Sequence, residues 1–147
     1  MKSIPMLMLL MTIHPTAAGA AGEALTTLES LRWANRIFLV YASAPGTDHA
    51  VEQLESFAAE IEDRQIAWFV LGDGRVRTNL EGPMDPAFEQ HLKSRYFNPE
   101  PNGPVVVLIG KDGEVKSRLP DLDLDRLFAQ IDSMPTRRQE MRDANRQ

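Results

Sequence analysis

The chain has 147 residues, 43% of them hydrophobic and 25% charged, the balance of a single folded domain. Its net charge of −5 disfavours nucleic acid and anionic lipid as general partners. Cysteine is absent, which excludes disulfides, thiolate metal sites, cysteine nucleophiles and dithiol redox chemistry.

Residues 1–20 have the pattern of a secretory signal peptide. Lys2 precedes an apolar stretch from Ile4 to Ile13, and Ala18-Gly19-Ala20 fits the small-residue cleavage pattern. The stretch is shorter than the roughly 20 apolar residues a membrane span needs. With no cysteine there is no lipobox, and no lipid anchor is expected. The expectation is a soluble periplasmic or secreted protein, with no membrane insertion after cleavage. Residues 21–134 are expected to form the domain. Residues 135–147 are expected to form a basic segment, a short helix packed on that domain.

Leu25, Leu28 and Leu31 predict a helix over Ala24–Trp33. Arg36 to Ala42 is a near-continuous apolar run, as in a strand buried on both faces. A turn-rich loop follows. A helix is then predicted from His49 to Asp63 on the spacing of Val51, Leu54, Phe57, Ala58 and Ile61, with Asp48 as N-cap. Ile66 to Leu71 reads as a second buried strand, and Arg75 to Asp85 as loop. Phe88, Leu92 and Tyr96 anchor a helix over Pro86–Phe97. Val105–Gly110 and Glu114–Leu119 form a hairpin around Asp112-Gly113. Leu124, Leu127, Phe128 and Ile131 mark a helix over Asp123–Asp132. After Pro135, Thr136 and Gln139 have capping-box spacing. A right-handed crossover makes the first two strands parallel. The whole predicts an α/β three-layer sandwich, with helices on both faces of a four-stranded mixed sheet.

The stretch from Pro104 to the last predicted helix resembles the C-terminal half of a thioredoxin. That resemblance implies a thioredoxin-like sandwich and a cis Gly103–Pro104 bond. Three segments resemble motifs of the domain of unknown function 4174 family. They are Leu31-Arg32-Trp33-Ala-Asn-Arg36, Gly110-Lys111-Asp112-Gly113-Glu-Val-Lys116 and Ile131-Asp132-Ser-Met134-Pro135-Thr-Arg137-Arg138-Gln-Glu140-Met141. The resemblance implies a thioredoxin-like fold without the dithiol, found in short exported bacterial proteins. Related domains are those of secreted animal sushi-repeat-containing and Equarin or Drs-like proteins. It implies no settled activity, so no catalytic residue is carried over.

The loop after the first strand is where such a fold would place its nucleophile. Here it holds Ser43, Thr47, Asp48 and His49, and with Pro104 these residues make the candidate binding surface. A hydroxyl, a carboxylate and an imidazole are present, but neighbours on one turn rarely converge on one atom. The plainer reading is a capped helix start. His91 reads as a half-buried structural histidine. Asp121, Asp123 and Asp125 open like a calcium loop, but Arg126 stands where glycine is needed. Gly72-Asp-Gly74 with Arg75 and Arg77 could cradle an anion, and reads more plainly as a turn. Arg32 and Arg36 are expected to pair with acids, Asp132 being a suitable partner type, or to cap carbonyls. No catalytic residue, metal ligand or cofactor is expected. The preferred function is a non-catalytic module binding an envelope protein or peptide. The alternatives are an enzyme with a non-thiol mechanism at residues 43–49, or a small-anion carrier.

Overall fold

The computed structural model describes residues 22–147, so the signal peptide assigned to residues 1–20 lies outside the described residues. Strands β1 (Arg36–Tyr41), β2 (Ile66–Leu71), β3 (Arg77–Thr78), β4 (Val105–Ile109) and β5 (Val115–Leu119) form one sheet in the order β3-β2-β1-β4-β5. β1 and β2 run parallel, and the remaining pairs are antiparallel. The helices are α1 (Gly46–Ser56), α2 (Ala58–Asp63), α3 (Phe88–Tyr96), α4 (Leu124–Asp132) and α5 (Pro135–Ala144). The fold is mixed α/β, with five strands where four were expected. The added strand, β3, is two residues long, too short to carry an alternating pattern. Next to it a side chain continues the sheet edge. Asn79 Oδ1 accepts from the Trp68 N–H at 2.9 Å, and its Nδ2 donates to the Ile66 carbonyl at 2.9 Å. One amide thereby satisfies a donor and an acceptor that a longer strand would have paired.

β1 and β2 are buried at every position, and alternate residues feed opposite faces. On one face Phe38, Val40, Trp68 and Val70 meet Leu54 of α1, Ile61 of α2 and Phe128 and Ile131 of α4. On the other, Ile37, Leu39, Phe69 and Leu71 meet Phe88 and Leu92 of α3. Gly72 ends β2 with φ +122°, and a Cβ there would lie 2.0 Å from the Ala42 carbonyl oxygen. Only glycine lets the chain turn this close to the end of β1.

Several boundaries differ from expectation. The helix predicted over residues 24–33 is reduced to a single 3₁₀ turn at Glu29–Leu31, and Leu25 forms an isolated bridge with Met84. Leucines spaced by three fit a three-residue turn better than the 3.6 of an α-helix. The helix predicted over 49–63 starts earlier, at Gly46, and breaks at Phe57 (φ −110°, ψ 27°), whose ring packs against the core. Pro45 takes the N-cap place given to Asp48, which lies inside the first turn. Cis bonds occur at Ala44–Pro45 and Asn98–Pro99, not at Gly103–Pro104. The capping box at Thr136 does not form, because α5 starts at Pro135 after Met134 and Thr136 lies inside its first turn, where its hydroxyl accepts from Arg36.

α5 is fastened by charge. Arg36, the first residue of β1, is fully buried. Its Nη1 donates to the Arg64 carbonyl at 3.0 Å and to Glu140 at 3.2 Å, and its Nη2 to Glu140 at 3.3 Å. Lys111 Nζ lies 2.6 Å from the same carboxylate. Arg137, also buried, donates to the Asp63 carbonyl at 2.9 Å and pairs with the Asp63 and Asp132 carboxylates. Arg64 donates to Asp132 at 2.8 Å and lies over the Phe128 ring. Asp132, named from sequence as a partner type for Arg36, therefore serves Arg64 and Arg137. Hydrogen bonds from Arg64 lower the pKa of Asp132 against the opposing effect of burial, with help from Arg137. Burial would raise that of Glu140, but hydrogen bonds and charge from Lys111 and Arg36 prevail and lower it.

Because both carboxyls are lowered in the folded state, their stabilisation is full above the ordinary values of 3.8 and 4.5 and is lost as the pH falls through the folded values. Urea melts from pH 6 down to pH 3 (on the order of one titration window) are expected to show falling stability, with a flatter profile in the Asp132→Asn, Glu140→Gln protein. Gly72→Ala is expected to lower stability by about 2 kcal/mol or more in the same assay.

Candidate functional site

The two ends of the sheet differ in character. β1 runs out at Tyr41 and α1 opens at Gly46, which places the 43–49 loop at the C-terminal ends of the parallel strands. Ser43, Asp48 and His49 are exposed, and Thr47 is fully buried. Pro104 is exposed at the same end, since its neighbour Val105 pairs with Tyr41. The Thr47 hydroxyl donates to Asp73 at 3.1 Å. Arg77, on β3, donates to Asp48 at 2.7 Å and to Asp73 at 3.2 Å. Arg75 comes within 3.8 Å of Asp73.

The structure thus joins two motifs that the sequence presents separately, the 43–49 loop and the Gly72-Asp-Gly74 turn. β3 makes the junction by carrying Arg77 back beside the end of β2. His49 stays outside the cluster. A hydroxyl with no solvent access cannot meet an external substrate, and both arginines of the turn already face carboxylates. The cluster ties α1 to the turn after β2. Tyr41 closes the same end by donating to Glu100, and its ring lies 5.3 Å from that of Phe97. That hydrogen bond, burial and the charges of Glu100 and Glu89 push the Tyr41 phenol up to about 12, so it stays protonated at neutral pH.

The remaining sequence-level sites also find structural places. His91 is half-buried in a cavity of about 210 Å³ that it shares with Arg32 and Arg95, cationic company for a metal ligand. Among the described residues no three His, Asp or Glu side chains converge on a metal position. Asp123 caps α4, accepting the Arg126 N–H at 3.0 Å.

The opposite end of the sheet carries a feature that sequence reasoning missed. Trp33 is 66% exposed and has φ +66°. The left-handed conformation costs a bulky residue about 1–2 kcal/mol, so its surroundings must hold it. Its N–H donates to the Lys111 carbonyl at 2.7 Å, and the Arg32 guanidinium lies 5.7 Å from its ring. The indole borders a groove of about 640 Å³ whose walls include Lys111, Lys116, Met134, Pro135 and Thr136. Trp33, the 110–116 turn and the start of α5 come from the three segments whose family resemblance was noted from sequence. The similarity pointed to this place, but hydrophobicity could not, because an exposed tryptophan beside a strand reads as core.

These features define a cysteine-free mixed α/β domain, closed at one sheet end by ion pairs and edged at the other by an exposed aromatic. The chain belongs to the family described as Domain of unknown function (DUF4174), whose model matches residues 27–140. No curated protein and no solved structure matches the chain. The family match ends on Glu140, so it takes in both the groove and the carboxylate that Arg36 binds. Among the described residues no helix is long and apolar enough to cross a membrane.

Asp73→Ala removes the acceptor shared by Thr47 and Arg77 and is expected to cost about 1–3 kcal/mol in chemical denaturation. His49→Ala, at an exposed position, is expected to stay within about 0.5 kcal/mol of the parent.

Proposed function

We propose that this protein is a non-catalytic binding module of the cell envelope that holds a protein or peptide partner in the Trp33 groove. Its core is a thioredoxin-like sandwich in which a cluster of ion pairs replaces the redox end. Support for that fold comes from the β1-α-β2 parallel unit, the antiparallel β4–β5 hairpin and the return of α4 onto the sheet. Support for the location comes from the Lys2, apolar-stretch and Ala18-Gly19-Ala20 pattern of the N-terminus. The enzyme and anion-carrier readings draw less support, since Thr47 is buried and Arg75 and Arg77 already face Asp73.

One observation carries the reading: a tryptophan kept in water, in a strained conformation, at the lip of a groove walled by Met134 and Pro135 together with Lys111 and Lys116. Exposed aromatics of this kind dominate the binding energy of protein interfaces. The 43–49 loop with Pro104 is the second surface to test.

A photo-crosslinking residue placed at Ser133 on the groove wall is expected to capture a defined envelope partner in producing cells. The same probe at His49 is expected to capture much less of it. Trp33→Gly is expected to abolish capture while changing stability by no more than about 1 kcal/mol, because relief of the left-handed backbone opposes the greater chain entropy of glycine. Capture from His49 alone would move the site to the other end, and capture from neither would defeat the proposal.

A further inference from the structure

We propose that the cavity between α3 and the 3₁₀ turn at Glu29–Leu31 is a second site, one that takes a small oxyanion of the phosphate class. It lies on the α3 face of the sheet, its walls include neither Arg75 nor Arg77, and it does not rest on the function proposed above.

The groups that would meet an anion stand on the walls. Arg32, His91 and Arg95 all line the cavity, and each is exposed or half-buried. The buried side chains of Ile37 and Ile109 close its bottom and take no part in binding. At about 210 Å³ the space is smaller than the cavities that hold drug-sized ligands, and it suits a small ion.

Positive charge collects here without compensation. His91 and Arg95 are four residues apart on α3, so their side chains share one face of the helix. Among the described residues neither takes part in an ion pair. Neutral groups orient Arg95 instead. Its Nε donates to the Tyr96 hydroxyl at 3.3 Å, and its guanidinium lies 5.6 Å from the Tyr96 ring. Arg118 of β5 is placed beside them by donating to the Tyr96 carbonyl at 2.8 Å, again with no ion pair of its own among the described residues. Glu29 is the one acid on the described walls, and it is an exposed residue that faces Arg32 at 3.3 Å. A surface pair of that kind is weak, so Arg32 can be shared with a ligand. Guanidinium groups held by a phenol and a carbonyl keep most of their N–H donors for an anion. The arginine fork matches two oxygens of a phosphate, and the imidazole N–H adds a further donor.

The test is a ¹H–¹⁵N NMR titration of the protein at constant ionic strength, with inorganic phosphate, glycerol 3-phosphate, glycerol and chloride as probes. Phosphate is expected to saturate, moving the Arg95 Nε–H and the amides of residues 27–32 and 91–96. Glycerol and chloride are expected to give no saturable shifts there. Tighter binding of glycerol 3-phosphate would assign the site to phosphate esters, tighter binding of phosphate would assign it to the free anion, and either supports the proposal. Arg95→Gln is expected to weaken phosphate about five-fold, as the loss of one exposed charge pair would give. His91→Gln, which keeps a donor, is expected to weaken it less than His91→Ala. Arg126→Gln, at an exposed position on α4, is expected to leave the affinity unchanged. The proposal is overturned if chloride reproduces the phosphate shifts, if the shifts cluster elsewhere, or if the Arg95→Gln protein binds phosphate as the parent does. Should His91→Ala fail to fold, Arg95→Gln decides alone, since Arg95 is exposed.

Discussion

A single fully buried guanidinium, Arg36 at the root of the central strand, sets conditions that the rest of the chain must meet. Leaving such a charge unpaired in the interior costs several kcal/mol, a sizeable part of the stability of an ordinary domain. Its partners come from places far apart in the chain: the Arg64 carbonyl before β2, Thr136 and Glu140 on α5. Glu140 in turn takes Lys111 from the β4–β5 turn, and Arg137 takes Asp63 and Asp132. The position of α5 therefore follows from electrostatics. Its own amphipathic character is weak, and Arg137 is its buried residue.

The same network determines what is exposed around it. With α5 held against the 110–116 turn, Met134 and Pro135 form one wall of a groove, and the Lys111 carbonyl pins Trp33 at its lip. At the far end of the sheet the opposite holds. Thr47, Asp48, Asp73 and Arg77 bind one another, and Tyr41 binds Glu100, so the polar groups at this end are occupied within the protein. The domain is sealed by ion pairs at the C-terminal ends of β1 and β2 and open at the other end of the sheet.

The apolar framework was legible in the amino-acid pattern because burial on both faces leaves an unmistakable run. Arg36–Tyr41, Ile66–Leu71 and Val105–Ile109 are strands close to the predicted limits. Leu124, Leu127, Phe128 and Ile131 mark α4 because that helix is strongly one-sided. β3 left no trace, since two residues show no period, and its neighbour Asn79 pairs through a side chain. The break at Phe57 was hidden because its ring continues the apolar stripe while its backbone leaves the helix. The candidate groups were visible one by one and their grouping was not. Asp48 and Asp73 are brought to Arg77 by a strand the pattern could not reveal. Trp33 owes its exposure to a left-handed turn that no spacing announces.

The distance along the chain between Arg36 and Glu140, 104 residues, has a consequence for the order of assembly. A polypeptide still lacking its last segment would have to carry an uncompensated cation into the centre of the completed sheet, so the partial molecule gains little by closing early. Native packing becomes favourable once the final helix arrives.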